Sequence, residues 1–289
     1  MPTEIDRKEL KQQAREAMAA GPVKPWLFTL LYLLMTTGVS YALNLLPDSL
    51  SLFTNIAYWM YSAVVLFGYR LWALWTCRRL EPGMDSLLDG FSVAGRVILL
   101  EVMILLRMMG WAFLLAIPTG FVMLLVSNVG LYLLLLAATV IVTEIICLRY
   151  ALAPYLLADA PEMGPAIALD RSVRLMKGWC IPLFKLYLSF WPWFLASFAS
   201  VFLAVGISGL LGGVSLAALA PLDPILVQEQ FVLATSGPLA NILLAVIPAL
   251  VTIFFTPYLE VTQAQFYIAR RALPDQPEDP FTDRDMPPV

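Results

Sequence analysis

The chain has 289 residues, 60% of them hydrophobic and 13% charged, with a formal net charge of −3 and a mean hydropathy of +0.80. Soluble domains carry about 25% charged residues to furnish a polar surface, so the composition excludes an ordinary water-soluble globule and indicates a multi-pass membrane protein. There is no histidine, which excludes histidine general bases, histidine zinc sites and Ser-His-Asp triads.

Residues 1–24 are charged. Their first stretch, "MPTEIDRKELKQQAREAMAA", lacks the short apolar core of a cleavable signal peptide. It reads as an amphipathic helix on the cytosolic side, ahead of the first span. Apolar runs follow at 26–46, 53–77, 97–117, 121–148, 181–209 and 238–268. Each exceeds the ~18 residues that a helix needs to cross a bilayer core. Strand-like alternation is absent, and only helices or closed barrels can span lipid. The expected fold is all-α: a polytopic membrane helix bundle of six transmembrane helices within residues 25–271.

The connections differ in character. "LPDSLS" near Pro47 is a short turn, and Ile-Pro-Thr-Gly at 117–120 predicts a tight hairpin. Residues 210–237 form a long outer loop rich in Gly and Pro, with a short helix expected around 225–233. Gly209 and Gly213 have helix-packing spacing but read as loop glycines. Residues 272–289 are acidic and proline-rich, the composition of a disordered tail.

Lysine and arginine are missing from 25–69, 108–148 and 186–269. They gather at Arg7, Lys8, Lys11, Arg15 and Lys24, at Arg78, Arg79 and Arg96, at Arg149, Arg171, Arg174 and Lys177, and at Arg270 and Arg271. With six spans, all these clusters fall on one side. The positive-inside rule then places both termini in the cytosol and the protein in a cell membrane. Cys77, Cys147 and Cys180 form no C-x-x-C pair, so neither a zinc nor a redox site is expected. They fall near the cytosolic face, where free thiols are the rule. No phosphate-binding glycine loop occurs. The chain therefore reads as a non-enzyme, with no catalytic residues, cofactor, metal or nucleic-acid partner.

Between the fourth and fifth spans, residues 154–178 read "PYLLADAPEMGPAIALDRSVRLMKG". Pro154 discourages further regular helix, Asp159-Ala160-Pro161 signals a turn, and Pro165 suits the first turn of a new helix. Ala166, Leu169, Val173 and Met176 then recur at helical spacing, with Asp170, Arg171, Arg174 and Lys177 to the other side. Asp170 lies four residues before Arg174, as an intrahelical pair would. The expectation is an amphipathic surface helix at 165–177, whose basic face meets anionic lipid headgroups.

Asp159-x-Pro161, Ser172-x-x-x-Met176-Lys177-Gly178 and "LFKLYLSFWPW" at 183–193 resemble a bacterial multi-pass membrane family catalogued as a domain of unknown function, number nine-seventy-five. "LLDGF" at 87–91, the Ile-Pro-x-Gly turn, Pro154-Tyr155, Pro257-Tyr258 and Tyr267 carry the likeness further, over roughly residues 60–268. The chain departs from the family by inserting Thr119 into an Ile-Pro-Gly turn, and by a longer stretch between that turn and Arg149. The resemblance implies a six-span helical fold in a bacterial cell membrane and supplies no catalytic residues.

Six ionisable residues lie within the spans: Arg70, Glu101, Arg107, Glu144, Lys185 and Glu260. An unpaired charge at the centre of a membrane helix costs roughly 2.5–3.5 kcal/mol, so pairing, hydration or proximity to the interface is required. Arg107 sits deeper than the other five, and Lys185 can snorkel to the interface. In the last span Thr252, Thr256, Glu260, Gln263 and Tyr267 share one face, opposite Phe254, Tyr258 and Val261. These charges form either a structural network or a cytosol-facing cavity for a solute or lipid headgroup. The matching functions are transport or lipid and solute handling, or alternatively a non-enzymatic accessory or scaffold that recruits a partner at the inner membrane face. Trp72, Trp75, Trp191 and Trp193 read as interface belts and helix packing.

Overall fold

The computed structural model describes residues 5–125, 128–212 and 237–273, together with positions 228, 231, 232 and 235. Most of the expected outer loop at 210–237 and the tail from 274 lie outside the described residues, as does most of the helix expected around 225–233. The α-helices whose bounds fall among the described residues are α1 to α11 in chain order. Among the described residues, six helical stretches are long and apolar enough to cross a membrane: Pro25–Leu43, Ser51–Cys77, Ser86–Val122, Leu133–Asp159, Trp191–Leu211 and Pro238–Arg271. Their number and order match the six apolar runs.

Helix α1 (Arg7–Ala20) is capped by Asp6, whose carboxylate accepts from the Lys8 amide at 2.9 Å. Leu10, Ala14 and Ala17 form its buried stripe, which packs against α3 and α11. Helix α2 (Pro25–Leu43) opens on a proline, where the missing N–H has no intrahelical partner to lose. Phe28 stacks on Trp72 of α3 (Ser51–Cys77) at 4.4 Å, so Trp72 is core rather than interface belt. Trp191, by contrast, is exposed.

Helix α4 (Ser86–Asp89) and the 3-10 turn after it lie against α3 through two glycines. A Cβ on Gly90 would stand 2.6 Å from the Val64 carbonyl, and one on Gly68 would collide with the Leu87 carbonyl. Close backbone approach requires glycine at both places.

Two expected boundaries shift. Helix α5 runs from Ala94 to Leu125 straight through Pro118, so the hairpin expected at 117–120 does not form and α6 (Val129–Cys147) starts later. One residue on, the Thr119 hydroxyl donates to the Leu115 carbonyl at 3.0 Å and lies 2.8 Å from Thr139, which ties this part of α5 to α6. The expected fifth span, 181–209, is two helices, α9 (Cys180–Leu188) and α10 (Trp191–Leu211), broken at Ser189 and Phe190. Pro192 lacks the N–H that would continue α9. Helix α1 seals the break: the Lys11 ammonium donates to the Ser189 carbonyl at 2.9 Å and sits 4.0 Å from the Phe190 ring centre. Burial, then the neighbouring Arg15 and Arg7 charges, hold that ammonium below the ordinary lysine pKa.

Pro154 does not end helical structure. It occupies the first turn of a short buried helix, α7 (Ala153–Asp159). The surface helix α8 spans Pro165–Leu175, so Lys177 falls beyond its end. Asp170 and Lys177 are exposed and Arg174 is half-buried. Arg171 is only 6% exposed and does not belong to the outer face. Residue 171 falls between Ala168 and Leu175 on the buried stripe, and α8 packs on α7 and α5 closely enough to cover it.

The last helix, α11 (Pro238–Arg271), packs against α10, α2, α3 and α1. The bundle is unevenly filled. At the arginine-rich end Tyr69, Leu87, Tyr155, Leu157, Val261, Ala264 and Tyr267 are all fully buried. Towards the other end the helices present Phe113 and Ile117, Leu133 and Leu134, Phe198 and Phe202, and Ile242 and Leu250 outward. A continuous apolar surface of this extent is not tolerated in water, and a bilayer covers such a surface.

Candidate functional site

The arginine-rich end contains a two-centre ionic network. Its first centre is Asp159, the last residue of α7, with a side chain 1% exposed. Arg78, just past the end of α3, grips it with both guanidinium nitrogens, donating to Oδ1 at 2.6 Å and Oδ2 at 2.8 Å. Arg271 and the Tyr267 hydroxyl, both on α11, each donate to Oδ2 at 2.6 Å. Three of these donors share Oδ2 and one meets Oδ1, so both oxygens of the buried carboxylate are engaged. Asp159 thus ties together α3, α7 and α11.

The second centre is Arg70 on α3. It lies 3.4 Å from the Glu101 carboxylate on α5 and 3.8 Å from Glu260 on α11. The Tyr155 hydroxyl on α7 donates to Glu260 at 3.2 Å. Charge balance across this centre is one cation to two carboxylates, and it is less enclosed than the first: Arg70 and Glu101 side chains are 19% and 23% exposed. Tyr155 and Tyr267 stack at 5.5 Å and join the two centres.

Of the six ionisable residues in the spans, Arg70, Glu101 and Glu260 converge, and the other three do not. Arg107 donates to Asp170 of α8 at 2.9 Å, in a pair that is largely exposed. That contact also takes Asp170 from Arg174, so the intrahelical pair expected from their spacing does not form. Glu144 and Lys185 point outward, away from the network. Of the remaining stripe residues, Gln263 donates to the Ala151 carbonyl at 3.4 Å, and Tyr267 belongs to the Asp159 centre.

Sequence reasoning missed Asp159, Arg78, Arg271 and Tyr155. Asp159 reads as a turn residue and the two arginines as positive charges flanking spans. The arginines lie just beyond apolar runs, where a charge is unremarkable, and only the packing of α3, α7 and α11 makes them one site with Asp159. Chemically the network is a clamp. Every charged group in it faces an opposite charge or a hydroxyl, and both oxygens of Asp159 accept from within the chain.

No curated protein and no solved structure matches this chain. A family model described as "Protein of unknown function (DUF975)" matches residues 1–273, so the likeness takes in α1 and α2 as well as the later helices that the sequence motifs mark, and the chain belongs to that family.

Proposed function

We propose that this protein is a non-enzymatic, multi-pass scaffold of the bacterial cell membrane, with both termini in the cytosol, that holds a protein partner at the inner membrane face. The observation that supports it most is the burial of Asp159, whose carboxylate accepts four hydrogen bonds that tie α3, α7 and α11 together. A rigid, internally paired end suits a platform better than a solute path. Helix α1 supplies the polar face of that platform, with Lys8, Gln12, Gln13 and Glu16 exposed over its buried stripe. In mild detergent, the tagged full-length chain should bring down a stoichiometric partner from its native membranes. The double variant Lys8→Glu with Glu16→Lys should lose it while keeping the same melting temperature. Repeated recovery of the wild-type protein alone would overturn the scaffold reading.

A second reading draws on the partial exposure of Arg70 and Glu101. In it the second centre opens to the cytosol and holds a solute or a lipid headgroup. It requires Glu260→Gln to lose a small molecule or lipid that the wild type retains through purification, with the fold intact. Identical small-molecule and lipid content in the two proteins would sink it.

A further inference from the structure

We propose that a groove where α6, α8 and α9 meet binds one acidic glycerophospholipid. The groove encloses about 490 Å³, within the ~300–1,000 Å³ range of ligand pockets. Ile145, Ile146, Val173 and Ile181 line it, while Arg149, Arg174 and Lys177 also border it. Three cations around an apolar floor match an amphiphile with an anionic head.

The charge is uncompensated by a specific structural cause. Asp170 stands one helical turn before Arg174, yet its carboxylate is held by Arg107 at 2.9 Å. Among the described residues no carboxylate lies within ion-pairing distance of Arg149, Arg174 or Lys177. At the clamp, by contrast, Arg78 and Arg271 both pair with Asp159. Guanidinium groups suit phosphate oxygens because they donate in a fork, and the lysine adds a mobile point charge.

The apolar floor continues outward. Ile181 is 57% exposed at the groove, and Ile141 and Val142 on α6 are exposed beside the turn that carries Ile145. An acyl chain seated on Ile145 and Ile181 can therefore pass on to the outer apolar surface of the bundle, whereas a free phosphate would leave the floor uncovered. A zwitterionic headgroup such as phosphocholine brings a fourth cation to the three already present and is disfavoured.

The test uses the full chain in detergent. Added phosphatidylglycerol should raise Tm by about 4 °C, and phosphatidylcholine or inorganic phosphate should raise it far less. The triple variant Arg149→Gln, Arg174→Gln and Lys177→Gln should lose the phosphatidylglycerol increment. An undiminished increment in the triple variant would overturn the proposal, as would equal stabilisation by phosphatidylcholine. Equal stabilisation by inorganic phosphate would replace the lipid site with a simple anion site. Should the triple variant not fold, Lys177→Gln at its exposed position substitutes for it. Native mass spectrometry should then show about a tenfold drop in retained phosphatidylglycerol, and retention equal to wild type would again refute the site.

Discussion

Tyr155 and Tyr267 stack at 5.5 Å with their rings 22° apart, and each hydroxyl donates to a different buried carboxylate, Glu260 and Asp159 respectively. The stack couples two ion-pair centres contributed by α3, α5, α7 and α11. Its physical effect is to make the arginine-rich end a single polar unit inside an otherwise apolar bundle.

Removal of the Asp159 carboxylate leaves Arg78 and Arg271 facing each other without an acceptor. Asp159→Ala should destabilise the fold by about 3–5 kcal/mol, the usual cost of breaking a buried ion pair from one side. Asp159→Asn should be nearly as damaging, because its amide group presents donors to donors. Thermal unfolding in detergent checks both. A variant melting with the wild type would mean that the clamp contributes nothing.

Glu260→Gln is expected to be milder. Arg70 keeps Glu101 at 3.4 Å, and a glutamine oxygen can still accept from Tyr155. A loss of about 1–3 kcal/mol is expected, read from the same melts. A loss as large as that of Asp159→Ala would show that the two centres form one cooperative unit.

Arg107→Gln tests the opposite limit. Its pair with Asp170 is 38% and 59% exposed on the two sides, and exposed pairs contribute about 0–1 kcal/mol. The melting point should barely move. A drop comparable to that of Asp159→Ala would place Arg107 in the buried network after all.

Gly68→Ala and Gly90→Ala should each cost about 1–3 kcal/mol, because the added methyl meets the backbone of the facing segment and not a movable side chain. Gly38→Ala is the control: nothing lies within 4 Å of its Cβ position, and the change should be neutral or stabilising by up to about 1 kcal/mol. Equal melting points across the three variants would refute the close approach of α3 and α4.

Much of the architecture was legible in the chain because burial in a bilayer leaves a one-dimensional signature. Apolar runs set the number and order of the long helices, and the charged first stretch read as the amphipathic helix that α1 is. Local chemistry misled at two prolines. Pro118 sits within a continuous helix that packs on α6, where Thr119 meets Thr139. Pro154 starts a helix that burial stabilises on its own. Arg171 followed the same logic: helical spacing placed it on the polar side, and contact with α5 and α7 buried it.

The sequence by itself determined that this is a six-run helical membrane chain with its positive charge segregated, and it marked Arg70, Glu101, Arg107, Glu144, Lys185 and Glu260 as charges that required pairing, hydration or an interface. Only the tertiary structure decided which partners they took. Asp159 became the hub, Arg107 took Asp170 from Arg174, and Glu144 and Lys185 stayed outside. The reason is physical. Hydropathy and helical period act between neighbours along the chain, whereas an ion pair such as Arg78 with Asp159 joins residues 81 positions apart and exists only once helices have chosen their faces.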